Sequence, residues 1–416
     1  MSIKYWVWLS ALTNLRPETR SKLIYAFDDP EKLYFSDERA VSEHISLNAQ
    51  ERRLLSDKSL ERADRILEKC TEDGIHLYTM NDSAYPRRLS NIYAPPILIY
   101  VKGKLPDIDE EVAIAVVGTR SATPYGIKMG RKIGFEITRG GGLVVSGLAA
   151  GVDSAAAEGA LRAGGACIGV LGCAIDDVYP SFNSGLYSDV SAAGALISEY
   201  PPETPIAKKN FPERNRIISG LSLGVTVIEA PKISGAIITA ESALEQGREV
   251  FAVPGNVDAL NSVGTNMLIS EGALLVTSGW DVLNEFRGRF PNKIMEPDKK
   301  GKEFAYTAEE SADLQQKLAP ETGEKFAVLR KKTVRKDVDN KKEREYINLQ
   351  GQLFGLSETQ LKIIAAIGEG SKHIDDIIDC TAMSAASVLS EMTVLQIKGF
   401  VIQEPGKRFS LNIVKA

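Results

Sequence analysis

Between Glu111 and Phe286 the sequence switches repeatedly between short apolar runs and helical stretches, and that alternation restricts the fold more than any other feature. Continuous apolar runs mark strands covered on both faces, and the helices between them supply the crossovers that a parallel sheet requires. Val112–Val117 reads as the first buried strand and Pro124 to Arg139 as a helix. Leu143–Val145 is a strand, Asp153–Ala163 a helix and Ala166–Leu171 the next strand. A loop with Tyr179-Pro180 leads to a strand at Gly194–Ser198. A helix from Pro212, strand Val225–Glu229, helix Ala236–Gly247, strand Glu249–Val253, a last helix and strand Leu274–Val276 complete the unit before Trp280–Phe286. The expected fold class is α/β, a doubly wound, mostly parallel sheet.

In an open sheet of this kind, ligands bind beyond the carboxyl ends of the strands. Gly118-Thr119-Arg120, Ser146-Gly147, Gly172 and Ser234-Gly235 occupy or closely follow such ends, near helix starts. Glycines there let backbone N–H groups approach an anion, and helix N-termini favour negative charge. Each glycine taken alone more often makes a tight turn; several together with Arg120 read as an anion groove. The first turn, Gly118-Thr119-Arg120-Ser121, does not satisfy the dinucleotide fingerprint, and there is no Walker lysine motif.

The stretch Phe211–Ser222 follows Lys208 and Lys209 and carries Arg214, Asn215 and Arg216. So many cations beside an aromatic ring suit phosphates and a stacked base, whereas the plain alternative is a solvated helix start. Pro212 fits a first helical turn, and Ile217, Ile218 and Leu221 form an apolar stripe. Arg214 and Arg216 would project about 200° apart, so at most one is expected on the buried face. Asp153, Glu199, Glu229 and Glu241 lie near element ends without a His or Cys partner at a recognisable spacing, so no catalytic site is expected. Asp153 and Glu241 read at least as well as helix caps or as counter-charges to arginine.

The flanks differ in character. Residues 2–70 read as short helices, with Trp6, Leu9, Leu12 and Leu15 at helical spacing and a second pattern from Asn48 to Cys70. Packing or linkage is their expected role. Ile75–Met80 and Ile97–Val101, the latter after Pro95 and Pro96, look like a short extended lead-in to the sheet. Residues 287–355 lose the periodicity, and Lys325–Arg344 is strongly basic, reading as a solvated linker or an arm for nucleic acid. Ser357–Ala416 has the outline of a winged helix, with helices around Leu361, Ile364 and Ile367, around Ile374, Ile377 and Ile378, and around Val388, Leu389, Met392, Leu395 and Ile397. A hairpin, Phe400–Gln403 and Phe409–Leu411 about Pro405-Gly406, completes it. To read the major groove the third helix should carry Arg, Asn or Gln facing bases; it offers mainly Ser, Ala, Glu391 and Thr393, which favours contact with protein over DNA reading. With a formal net charge of −5, any anion binding must be local. The four cysteines and three histidines lack metal-ligand spacing, so neither metal nor disulfide framework is expected, and the chain suits a reducing cytosol. The N-terminus reads as a helix rather than a signal peptide, and no run approaches a membrane span.

Residues from about 85 to 286 closely resemble the DNA-processing protein A (DprA, also called Smf) family. The segments that carry the resemblance are YPRRLSNIYAPPILIYVKG, VVGTRSATPYG, VSGLAAGVDSAAAEGAL, VLGCAIDDVYP, NFPERNRIISGLS, VIEAPKISGAIITAESALEQGREVFAVPG and SVGTNMLISEGA. The resemblance implies a Rossmann-like core that binds single-stranded DNA without catalysing a reaction or holding a cofactor. It also implies a homodimer and transfer of DNA to the RecA recombinase during natural transformation. Carried over by position, the DNA-contacting residues are Arg120, Ser146, Gly147, Lys208, Phe211, Arg214, Asn215 and Arg216; Gly118, Ser234 and Gly235 join them from the strand-end glycines. Domains are expected at residues 1–70 (helical, SAM or helix-hairpin-helix-like), 71–287 (core), 288–355 (charged linker) and 356–416 (winged helix). One departure is Ala157, where the family commonly has His. The rival reading is a nucleoside-monophosphate phosphoribohydrolase on a related core, but the catalytic Glu of that class falls on Ser242.

Overall fold

The structure, a computed structural model, describes residues 2–296, 358–367, 371–381, 383–397, 400–404 and 408–411. The basic tract Lys325–Arg344 and the Pro405-Gly406 turn therefore lie outside the described residues. The chain divides into two compact units, Met1–Glu321 and Thr322–Ala416.

The larger unit opens with six helices: α1 (Ile3–Ala11), α2 (Pro17–Phe27), α3 (Pro30–Phe35), α4 (Glu38–His44), α5 (Ala49–Ser56) and α6 (Glu61–Glu72). Then come β1 (Ile75–Thr79), the single turn α7 (Arg87–Ser90) and β2 (Leu98–Gly103). The alternating segment supplies β3 (Val112–Val117), α8 (Pro124–Arg139), β4 (Gly142–Ser146), α9 (Val152–Arg162), β5 (Cys167–Leu171), α10 (Ser184–Ala193) and β6 (Ala195–Ser198). It continues through α11 (Asn210–Leu221), β7 (Gly224–Val227), α12 (Gly235–Glu245), β8 (Glu249–Ala252), α13 (Val263–Ser270), β9 (Leu274–Leu275) and α14 (Gly279–Asn284).

The strands form one sheet in the order β1-β2-β6-β5-β4-β3-β7-β8-β9. From β6 through β9 all neighbours are parallel, and β1 and β2 add an antiparallel edge. The order reverses at β3, with β4 on one side and β7 on the other. Successive side chains leave opposite faces of a strand, which builds two cores. Val112, Ile114 and Val116 face α8, α9 and α10, whereas Ala113, Ala115 and Val117 face α11 and α12. The small Ala113 and Ala115 leave room for Ile217, Ile218 and Leu221 of α11.

The N-terminal helices share the first of these cores with β2. Ser10 and Tyr100 exchange a hydrogen bond at 2.6 Å in the buried interface. Beside it lies an internal ion triad. The Glu199 carboxylate, following β6, meets Arg216 of α11 at 2.6 Å and Arg20 of α2 at 3.4 Å. Arg20 and Glu199 are each 2% exposed. The expectation that only one of Arg214 and Arg216 turns inward is corrected here. Helix α11 is enclosed on more than one side, so Arg216 reaches Glu199 while Arg214 enters the ends of β4 and β5. Helix α11 also begins two residues before Pro212, and α10 occupies what the sequence reads as loop. Helix α10 is Ser- and Ala-rich with only Tyr187 and Val190 buried, too sparse an apolar pattern to announce a helix.

In the smaller unit, helices Glu358–Ile367, Ile374–Thr381 and Ala385–Ile397 enclose Ile363, Ile367, Ile377, Val388, Met392 and Leu395. The wing is three-stranded, since Ser371–His373 pairs with Arg408–Leu411, which also pairs with Val401–Glu404. Leu389, one of the apolar residues that mark the third helix in the sequence, is exposed. Val388 and Met392 supply the inward ridge, and Leu389 falls off it.

Removing the shared partner of a buried ion triad leaves two desolvated guanidinium groups. Glu199→Ala should cost about 3–5 kcal/mol. The check is a thermal melt of the full chain, in which the variant should unfold at a clearly lower temperature.

Candidate nucleic-acid interface

The carboxyl ends of β3, β4, β5 and β7 converge with the N-terminal turns of α11 and α12. At their centre lies Asp153, in the first turn of α9 and 5% exposed. Its carboxylate accepts the Gly118 N–H at 3.2 Å and the Gly147 N–H at 3.0 Å. The glycine amides that the sequence offers to an external anion are thus already satisfied by an internal one. Ser146, fully buried, donates to the Asp153 carbonyl at 3.0 Å. A side chain at position 147 would put its Cβ 2.6 Å from the Asp153 carboxylate and 2.7 Å from Arg214 Nη2, so glycine is required by that close approach.

Arg214 closes the node. It is 4% exposed and donates to the Gly147 and Val170 carbonyls, and to Asn215 Oδ1 at 3.3 Å. Asn215 in turn donates to the Gly235 carbonyl at 3.1 Å, while the Ser234 hydroxyl caps α12 by accepting from Ile237 N–H. Burial is the main influence on both charged groups. It lifts the Asp153 pKa to about 6 against the pull of Arg214, the two glycine amides and Arg120. It lowers the Arg214 pKa, which Asp153 partly restores.

The predicted site residues therefore separate into two sets. Gly118, Ser146, Gly147, Arg214, Asn215, Ser234 and Gly235 form the scaffold, tied by contacts among strand ends and helix starts. Arg216 belongs to the Glu199 triad. The outward set is Arg120, Lys208 and Phe211. Arg120 and Lys208 are exposed, and the Arg120 guanidinium carbon lies 5.2 Å from the centre of the half-buried Phe211 ring. Lys209 is exposed and reaches Asn14 Oδ1 at 3.3 Å. Glu229, one of the carboxylates near element ends, accepts from Thr123 N–H at 2.9 Å and from its hydroxyl at 2.6 Å, bracing the start of α8. Glu241 is exposed on α12.

Two residues escaped sequence reasoning. The Tyr179 ring lies 5.1 Å from Phe211, and Phe182 stands exposed three residues later. Their signal was an aromatic pair in a Pro-containing turn just past a strand end. Among the described residues no group of three or more His, Cys, Asp or Glu could hold a metal ion, and no helix is long and apolar enough to cross a membrane.

Comparison with known proteins agrees with this architecture. The family model described as DNA recombination-mediator protein A matches residues 76–287, and that of the DprA winged helix domain matches residues 350–407. Protein Smf of Synechocystis is 31% identical over 409 residues, 97% of this chain and 98% of its own. DNA processing protein DprA of Streptococcus pneumoniae is 44% identical over 211 residues, covering 50% of this chain and 73% of its own. The X-ray structure of DprA from that species superposes with a TM-score of 0.58 at 34% identity, covering 68% of this chain and 97% of the other.

Asp153 makes the node sensitive to pH. An Asp whose pKa is raised by folding binds its proton more tightly folded than unfolded, so its contribution favours folding below 3.8 and is lost as pH rises through about 6. Asp153→Asn abolishes that titration. The stability of the variant relative to the unsubstituted chain, read from thermal melts, should therefore rise between roughly pH 4 and pH 7, by an amount on the order of 2–3 kcal/mol. A constant gap across that range contradicts the assignment.

Proposed function

Given that the chain belongs to the DNA recombination-mediator protein A (DprA/Smf) family, we propose that it binds single-stranded DNA across the carboxyl ends of its sheet and passes it to the RecA recombinase, acting as a cytoplasmic homodimer without catalysing a reaction. The observation that carries the DNA-binding part is the juxtaposition of exposed Arg120 with the Phe211 ring, beside exposed Lys208. A guanidinium and an ammonium hold successive phosphates, and an aromatic face accepts a base of any identity. Formal charge of the whole chain is negative, so attraction for the strand must be local. Transfer to RecA, the homodimer and the cytoplasmic setting rest on the family resemblance, as does the link to natural transformation.

The scaffold residues enter this reading indirectly. Arg214, Asn215, Ser146 and the two glycines hold the α11 start against the strand ends, and thereby fix where Phe211 and Arg120 meet. Arg214 is a positioning residue rather than a phosphate ligand. The smaller unit has a different role. Its third helix places Glu391 against Gln360 at 2.7 Å and offers no Arg or Lys, which favours a protein partner over a base-reading function.

Fluorescence anisotropy with labelled oligonucleotides tests the groove. Single strands should bind more tightly than the matching duplex, with little dependence on sequence. Arg120→Ala and Lys208→Ala should each weaken binding similarly for all sequences. Each should also flatten the slope of log affinity against log salt by about 0.7 for every phosphate no longer held. Equal affinity for duplex, or unchanged affinity and slope in both folded variants, refutes the reading. An isolated Ser357–Ala416 fragment should bind DNA weakly or not at all. If it binds as tightly as the full chain, the winged helix is the DNA-binding element instead.

A further inference from the structure

Phosphate contacts explain affinity but not strand choice, because single and double strands both present phosphates. Strand choice requires a surface that only unpaired bases can reach. Phe211 satisfies this poorly by itself. Its ring is half-buried, with the Arg120 guanidinium 5.2 Å from its centre and Tyr179 at 5.1 Å with the planes inclined by 45°. Against its edge lies Gly172, where an added Cβ would fall 2.7 Å from Phe211 Cδ1. The ring is hemmed in, and open aromatic surface lies on Tyr179, in contact with it, and on Phe182, three residues further along the same turn. Tyr179 is 42% exposed and Phe182 is 69% exposed.

The loop that carries these two rings is tied down closely. Tyr187 donates its hydroxyl to the Tyr179 carbonyl at 2.8 Å. Asn183, 7% exposed, donates through Nδ2 to the Leu148 carbonyl at 3.0 Å and to Ser154 Oγ at 2.8 Å. Its backbone N–H reaches the Pro180 carbonyl at 3.1 Å, and Ser198 Oγ donates to the Cys173 carbonyl at 2.7 Å. Two large rings held toward solvent on an anchored loop lose little further entropy when a flat partner settles on them. Tyr179 lies against Phe211, which lies against Arg120, and that chain of contacts says what the partner is.

We propose that Tyr179 and Phe182 form the base-stacking surface of the groove, with Phe211 as its support, and that this surface confers the preference for single strands while Arg120 and Lys208 supply sequence- and strand-independent affinity. The ligand class is the unpaired nucleobase. The inference rests on the single-strand-binding reading above and assigns strand selectivity within it to two residues outside the set of expected DNA contacts.

The full-length chain tests it in the variants Tyr179→Ala, Phe182→Ala, the double variant and Tyr179→Phe. Anisotropy is read on a single strand, the matching duplex and a single strand of abasic sites, with melting temperature as the control for folding. The double variant should lose about tenfold or more on the ordinary single strand, the scale of one stacked base. Its duplex affinity, abasic-strand affinity and salt slope should stay unchanged, and Tyr179→Phe should keep the affinity of the unsubstituted chain. Phe182→Ala, whose ring is mostly exposed, should fold normally and show part of the loss. If the unsubstituted chain prefers single strands and the double variant keeps that preference, the stacking assignment is overturned while the groove stands. A loss of equal size on the abasic strand, or in Tyr179→Phe, also overturns it. If the unsubstituted chain shows no preference for single strands, the groove reading itself fails.

Discussion

Two buried charged groups, the Asp153 carboxylate and the Arg214 guanidinium, both bonded to the backbone of Gly147, organise the functional end of this molecule. The carboxylate gathers the N–H groups of Gly118 and Gly147, at the ends of two adjacent parallel strands. The guanidinium gathers the carbonyls of Gly147 and Val170 and the side chain of Asn215, which carries the linkage on to the start of α12. Parallel strands leave their terminal amides and carbonyls pointing into the crevice, where water is scarce and unmet polar groups are costly. One internal acid and one internal base meet that demand. Breaking either would strand the other in a low-dielectric interior, so the pair is better understood as a constraint on geometry than as a source of stability.

This arrangement divides the cations of one short segment by task. Within the run from Lys208 to Arg216, two arginines face inward and serve the fold. Arg214 serves the crevice, and Arg216 joins Glu199 and Arg20 to hold the N-terminal helices against the sheet. Lys208 and Phe211 remain outside, where Arg120 approaches from the end of β3. The proposed groove has few outward charges, set on a surface tied together by hydrogen bonds among strand ends and helix starts. Such an economy suits recognition of a backbone irrespective of its bases.

The N-terminal helices and β1–β2 illustrate a second consequence. The parallel sheet ends at β6, whose free edge would invite pairing with another chain. Antiparallel β2 covers that edge and β1 covers β2, with Tyr100 of β2 carrying the hydrogen bond to Ser10. What the sequence suggests is only packing or linkage thereby acquires a physical content, as a cap on one side of the sheet and a brace behind α11.

The division of labour between sequence and structure follows from the range of the interactions involved. The order of strands and helices was legible because burial on both faces forces continuous apolar runs, as in Val112–Val117, and helices impose their own period, as at Ile217, Ile218 and Leu221. The location proposed for the groove rests on the same pattern, since strand ends are where such sheets bind. Helix α10 was hidden because its Ser- and Ala-rich segment buries little apolar area of its own. The sequence could count the arginines of α11 but not orient them. Their partners, Asp153 and Glu199, lie 61 and 17 positions away, respectively, by residue number, and only folding brings them together. For the same reason the glycine loops looked open to a phosphate until the tertiary structure placed the Asp153 carboxylate on their amides. Tyr179 became part of the site only when the end of β5 and the start of α11 met. Local periodicity is written residue by residue along the chain, whereas which charge is spent inside and which is left for a ligand depends on contacts between distant segments, and those exist only in the folded protein.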